Sequence, residues 1–181
     1  RINGKCGYID LTGKEIIPLQ YDAASDFNGG FTSVRIGGKE SGKYGLIDKT
    51  GKEIVPAKYD ASFDFHEGLA YVKLNEKYGF IDKTGKEVIS LKYDDAYHFS
   101  EGLALAKLNG KYGYLDTTGK EVIPFIYDEA GSFVYGTARV TLKGEKFEID
   151  KTGRSEEQEK KKAKEKEENA RKDQQFIISL T

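Results

Sequence analysis

The chain has 181 residues, 33% of them charged, with a formal net charge of −1. That balance gives no electrostatic case for nucleic acid or an anionic membrane surface as partner, and no run of about 18 apolar residues is present to span a bilayer. The one cysteine, Cys6, excludes an internal disulfide framework and a cysteine-based zinc cluster.

In chain order, the sequence opens on a shortened unit. Only Arg1 and Ile2 precede the dipeptide Asn3-Gly4, where later copies carry six residues. With no methionine at the start, this reads as a segment excised from a longer protein, in which a leader would not be visible. Three near-copies follow: "GKYGLIDKTGKEIVP" at residues 42–56, "EKYGFIDKTGKEVIS" at 76–90 and "GKYGYLDTTGKEVIP" at 110–124. Gly45, Gly79 and Gly113 stand 34 residues apart; Gly7 precedes Gly45 by 38 because "GGKESG" lengthens one turn. Asp10, Asp48, Asp82, Asp116 and Asp150 form a second column, and Tyr21, Tyr59, Tyr93 and Tyr127, each followed by Asp, a third. So many columns in one register establish an internal repeat.

Each unit predicts three short strands. In the third full copy, "LALAKL" (residues 103–108) alternates as a half-buried strand does, and Asn109-Gly110 is the dipeptide of a type I′ hairpin turn. "KYGYLD" returns beside it, "TTG" forms a turn with a left-handed glycine and a bulge, and "KEVIP" is the third strand, ended by Pro124. Gly79 and its equivalents fall mid-strand, where a close neighbour is the usual reason for glycine. The expected neighbour is a repeated aromatic ring such as Tyr93 or Phe99, which predicts overpacking in Gly79→Val.

Strand phase divides the first strand of each unit into two sides. Ala70, Val72 and Leu74 match Thr32, Val34 and Ile36, Ala104, Ala106 and Leu108, and Ala138, Val140 and Leu142; this side is expected to face the core. The opposite side differs between copies and carries Ser33, Arg35, Tyr71, Lys73, Leu105, Lys107 and Arg139. Residues that repeat are scaffold and residues that vary are free for recognition, so these seven are the candidate partner-binding face.

With these columns in place, "KYGLIDKTGKEIVPAKYD", "KYGFIDKTGKEVISLKYD" and "KYGYLDTTGKEVIPFIYD" resemble the unit of the bacterial WG-repeat family, with Tyr in place of the usual Trp and Cys6 in the first copy. "FHEGLAYVKLNEK" and "FSEGLALAKLNGK" fit the same family, whereas the last copy departs from it at "EKFEID". The resemblance, over residues 1–153, implies a β-rich repeat, often in long or exported bacterial proteins, with no general catalytic activity and no specified ligand.

No catalytic constellation, cofactor motif or metal ligand set is expected. There is no nucleophile with a plausible base and no phosphate-cradling glycine loop. His66 and His98 read as solvated loop residues, and the aspartate before each Thr-Gly as the acceptor of an Asx turn rather than a calcium ligand. From Ser155 the composition turns charged and polar: Ser155 with Gln158 marks a capped helix start, and Glu156/Lys160, Glu157/Lys161, Glu167/Arg171 and Glu168/Lys172 are favourable i,i+4 pairs. The apolar "FIISL" from Phe176 to Leu180 reads as a strand, available for pairing with the open first unit or another chain.

The resulting expectation is an all-β array of about four tandem three-stranded antiparallel meander repeats over residues 1–153, curved as a solenoid or closed like a propeller. A charged α-helical tail over residues 154–181 follows it. Its expected role is a non-enzymatic scaffold that binds a protein partner or acts as a spacer in a larger bacterial protein; the alternative is a glycan- or cell-wall-binding module.

Overall fold

Turn chemistry sets the local structure. Asn109 (φ 51°) and Gly110 (φ 79°) adopt the left-handed conformation that a two-residue type I′ turn requires, and residues 75–76 and 143–144 close equivalent hairpins, whereas residues 37–42 form the longer loop between Ile36 and Lys43. The other turn is organised by aspartate. Asp48 Oδ1 accepts from the Thr50 amide at 2.8 Å, the Thr50 hydroxyl at 2.6 Å and the Lys52 amide at 3.0 Å. Asp10, Asp82, Asp116 and Asp150 repeat that pattern, so the column belongs to Asx turns.

The structure, a computed structural model, describes residues 2–179, with side chains through residue 172. Five antiparallel sheets follow one another along the chain. The first pairs β1 (Cys6–Ile9) with β2 (Glu15–Tyr21). The second holds β3 (Ala23–Ala24), β4 (Phe31–Ile36), β5 (Lys43–Asp48) and β6 (Glu53–Tyr59). The third holds β7 (Leu69–Leu74), β8 (Lys77–Asp82) and β9 (Glu87–Tyr93). The fourth holds β10 (Asp95–Ser100), β11 (Leu103–Leu108), β12 (Lys111–Asp116) and β13 (Glu121–Tyr127). The fifth holds β14 (Glu129–Ala130), β15 (Thr137–Leu142) and β16 (Glu145–Asp150), and α1 (Glu156–Ser179) follows. The additional strands β3, β10 and β14, absent from the three-stranded prediction, pair the segment after three of the four Tyr-Asp pairs with the next first strand; none follows Tyr59-Asp60.

The third strands β2, β6 and β13 run through their prolines rather than ending there, as β9 runs through Ser90. Tyr44 faces Tyr59 and Leu46 faces Val55, so Gly45 is opposed by a bulge that contains Pro56. Proline, which cannot donate to the ladder, is tolerated at such a bulge. The bulge also explains the mid-strand glycine. A Cβ on Gly79 would lie 2.5 Å from the Ile89 carbonyl oxygen and 2.8 Å from the Leu91 nitrogen. The close neighbour is therefore backbone, and not the Tyr93 or Phe99 ring.

Burial shows how the sheets assemble. Ile17, Tyr21, Val34 and Ile47 form one core; Leu46, Val55, Tyr59, Val72 and Ile81 form the next. Phe80 and Leu115 belong to a third, Tyr114 and Ile149 to a fourth. Four cores thus lie between five successive sheets. Consecutive residues of a middle strand, such as Leu46 and Ile47 or Phe80 and Ile81, enter the cores on opposite faces. This is why the middle strands read as apolar pairs instead of alternating. The array is open and solenoid-like, each sheet packing on its neighbours in sequence. At its far end Glu148 takes the place of Leu46, Phe80 and Tyr114 and is exposed, a polar outer face of the kind that terminates repeat arrays.

The aspartate of each Tyr-Asp pair ties units together. Asp94 pairs with Lys77 at 2.7 Å and accepts from the Gly110 amide of the following hairpin at 3.2 Å. Asp22 joins Lys5 to the amides of Gly37 and Gly38 in the same way, and these donors hold its carboxyl down at about 2. Glu67 and Glu101 extend the ladder, each accepting from a turn amide 35 residues on, at Gly102 and Gly136.

The helix begins at Ser155, whose hydroxyl accepts from the Gln158 amide at 3.4 Å. Three of the four expected i,i+4 pairs form; Lys161 instead pairs with Glu145 on β16 at 2.7 Å, docking the helix to the last sheet. The strand expected at residues 176–180 is replaced by helix, since α1 continues through Ser179. Leu180 lies outside the described residues. An uninterrupted polar helix upstream, with no glycine or proline before the apolar tail, lets the helix propagate into it. No helix among the described residues is long and apolar enough to cross a membrane.

Candidate functional site

The stacking of sheets divides the seven residues of the predicted binding face. Leu105 is 3% exposed in the core between the fourth and fifth sheets, and Ser33 is 6% exposed, so neither presents a side chain to a partner. Tyr71 is half-buried against His98, with ring centroids 4.8 Å apart. Arg139 is exposed because no further sheet covers the outer face of the fifth. These positions vary between copies because each meets a different neighbouring sheet. Variation within one chain marks complementarity between repeats as readily as recognition.

Arg35, Lys73 and Lys107 remain partly exposed and share a geometry that strand register imposes. Each faces a tyrosine directly across its hairpin: Arg35 opposite Tyr44, Lys73 opposite Tyr78, Lys107 opposite Tyr112. The cations lie over the rings at 5.8, 5.5 and 4.9 Å from the centroids. Tyr44, Tyr78 and Tyr112 are half-buried, so each ring leaves part of itself at the surface. Lys73 also pairs with Glu76 at 2.8 Å, which raises its pKa. The result is a stripe of cation-on-tyrosine pairs, one in each of three successive sheets. The tyrosines were missed as surface residues because they repeat and so read as scaffold. Counting back from the Asn109-Gly110 turn places Lys107 against Tyr112, a register the sequence already contains.

His66 is an exposed turn residue, as expected, whereas His98 is half-buried on a strand. His66 closes the turn at Glu67 and Gly68, while His98 lies on β10 within a register irregularity between Ala96 and Phe99. Their rings approach to 4.2 Å between centroids. Asp64 Oδ2 is 3.2 Å from His66 Nε2 and 3.6 Å from His98 Nε2. Nothing in the local sequence brings Asp64 to both; the meeting depends on how the third and fourth sheets stack.

The model of the WG containing repeat family matches residues 7–39, 44–78, 78–112 and 112–147. The chain belongs to the WG-repeat family. No curated protein and no solved structure matches it. In this chain each WG repeat is staggered against the sheets. The repeat at residues 44–78 supplies β5 and β6 to one sheet and β7 to the next. The three inner sheets each combine strands from two WG repeats, so neighbouring repeats are interlocked there rather than merely stacked.

Proposed function

We propose that the chain is a non-catalytic repeat scaffold that binds a partner protein along the stripe of Arg35, Lys73 and Lys107 with Tyr44, Tyr78 and Tyr112. The observation that supports this reading is the recurrence of the same cation-on-tyrosine pair at one place in three consecutive sheets. A fixed frame that repeats a half-exposed aromatic ring beside a positive charge suits an extended acidic protein segment, which meets one pair per sheet. Arginine and tyrosine are residue types on which binding energy concentrates at protein interfaces. The exposed Arg139 lies on the last sheet outside the stripe and pairs with Glu148 at 3.4 Å.

Affinity capture tests the proposal. The intact chain and a folded Arg35→Gln/Lys73→Gln/Lys107→Gln variant are compared on the same lysate and envelope fraction, with and without added salt or sugars. A protein held by the parent, lost by the variant and weakened by salt is the expected result. Retention competed away by sugars and indifferent to salt would assign a glycan-binding module instead. Equal retention by parent and variant would remove the stripe as the binding surface.

A further inference from the structure

Two histidines, which the sequence separates by 32 residues and places on different repeats, meet at one aspartate in the folded chain. The donor atoms of Asp64, His66 and His98 all lie within 4.8 Å of one another. In a tetrahedral zinc site, with bonds of about 2.0–2.1 Å, neighbouring donors stand about 3.3 Å apart. The Asp64–His66 and Asp64–His98 separations, 3.2 and 3.6 Å, already have that value. The two imidazole donors lie within 4.8 Å of each other, and both rings are partly exposed.

We propose that Asp64, His66 and His98 form a three-ligand Zn²⁺ site that clips the loop before β7 to β10 of the next repeat. Two imidazoles and one carboxylate favour zinc over calcium or magnesium, which take oxygen donors. Three protein ligands leave a fourth position for water or for a side chain brought by a partner. Tyr71, packed on the other side of the His98 ring, fixes its plane. The Nδ1 of His98 is buried without a hydrogen-bond partner in the protein. The outer-shell support that commonly orients a ligating histidine is thus missing there, which sets the affinity below that of fully supported zinc sites.

The test uses the full chain without an affinity tag, together with Asp64→Asn, His66→Ala and His98→Ala, each verified as folded by circular dichroism. Zn²⁺ uptake is measured by titration calorimetry, and Co²⁺ is added separately to read tetrahedral coordination from its visible bands. The expected result is one equivalent of Zn²⁺ bound by the parent, tetrahedral Co²⁺ bands, and binding weakened about tenfold or more in each variant. Zn²⁺ should also raise the melting temperature of the parent and not of the histidine variants. If His98→Ala fails to fold, His66→Ala, altered at a partly exposed turn residue, decides the matter. No uptake by the parent at millimolar Zn²⁺, or uptake unchanged by loss of His66, would overturn the site.

Discussion

Replacing Gly79 with alanine tests the reason for the glycine that defines the repeat. Its φ is not in the left-handed region, so the constraint is space and not dihedral angle. An added Cβ meets the Ile89 carbonyl oxygen at 2.5 Å, the Leu91 nitrogen at 2.8 Å and the Ser90 carbonyl carbon at 2.9 Å. All three atoms are backbone of β9, held on either side by the Tyr78–Tyr93 and Phe80–Ile89 pairs. They cannot swing aside as a side-chain tip would; the bulge must shift and strain the ladder. Overpacking of this kind costs about 1–3 kcal/mol, or roughly 2–12 °C in melting temperature for a chain of this size. Gly131 is the control: it also lacks a positive φ, but its added Cβ meets only the Arg139 carbonyl oxygen, at 3.8 Å. Gly131→Ala should leave stability unchanged or raise it by about 0.4–1 kcal/mol. Urea melts of parent and both variants give the comparison. Equal midpoints for Gly79→Ala and the parent would refute the backbone-contact explanation.

Further predictions address the cores, a buried hydroxyl and acid stability. Leu105→Ala should cost about 2–5 kcal/mol in a urea melt, because its side chain fills the core between two sheets, whereas Lys107→Gln should stay within about 0.5 kcal/mol. The Tyr114 hydroxyl donates to the Gly131 carbonyl at 2.6 Å inside the fold, and Tyr114→Phe should lose about 1 kcal/mol by the same assay. The Asx-turn carboxyls of Asp10, Asp48, Asp82, Asp116 and Asp150 are held below their ordinary range, first by the threonine hydroxyl and then by turn amides. Asp22, Asp94 and Asp128 are lowered chiefly by their lysine partners. Folded values below unfolded ones give stability that is complete above the unfolded carboxyl pKa and lost as pH falls through the folded values. Urea midpoints should therefore be flat from pH 7 to about 5 and decline from about pH 4 towards pH 2; a flat profile to pH 2.5 would contradict the turn assignment.

Much of the fold was legible because it is local. Asn109-Gly110 fixes a hairpin, Asp116 with Thr118 fixes the next turn, and the repetition of both fixes the array. What the sequence obscured was anything that depends on two sheets meeting. Pro124 reads as a strand end in isolation, yet it belongs to a bulge opposite Gly113, and only the pairing of β12 with β13 reveals this. Leu105 alternates with Ala104 and Ala106 as an outward residue would, yet a second core covers that side. The same omission hid the meeting of His66 with His98, since each comes from a different repeat. The candidate site was legible in part: Arg35, Lys73 and Lys107 keep partly exposed positions, while the tyrosines beneath them were hidden by their own regularity.

The central claim, that one contact per sheet along a repeated stripe binds a partner protein, is tested most directly by affinity. The captured partner is titrated against the parent and against Arg35→Gln, Lys73→Gln and Lys107→Gln singly, in pairs and together. Stepwise weakening, about 2–5-fold for each cation removed and diminishing as salt is raised, is the predicted result. Identical affinity for the parent and the triple variant would contradict it.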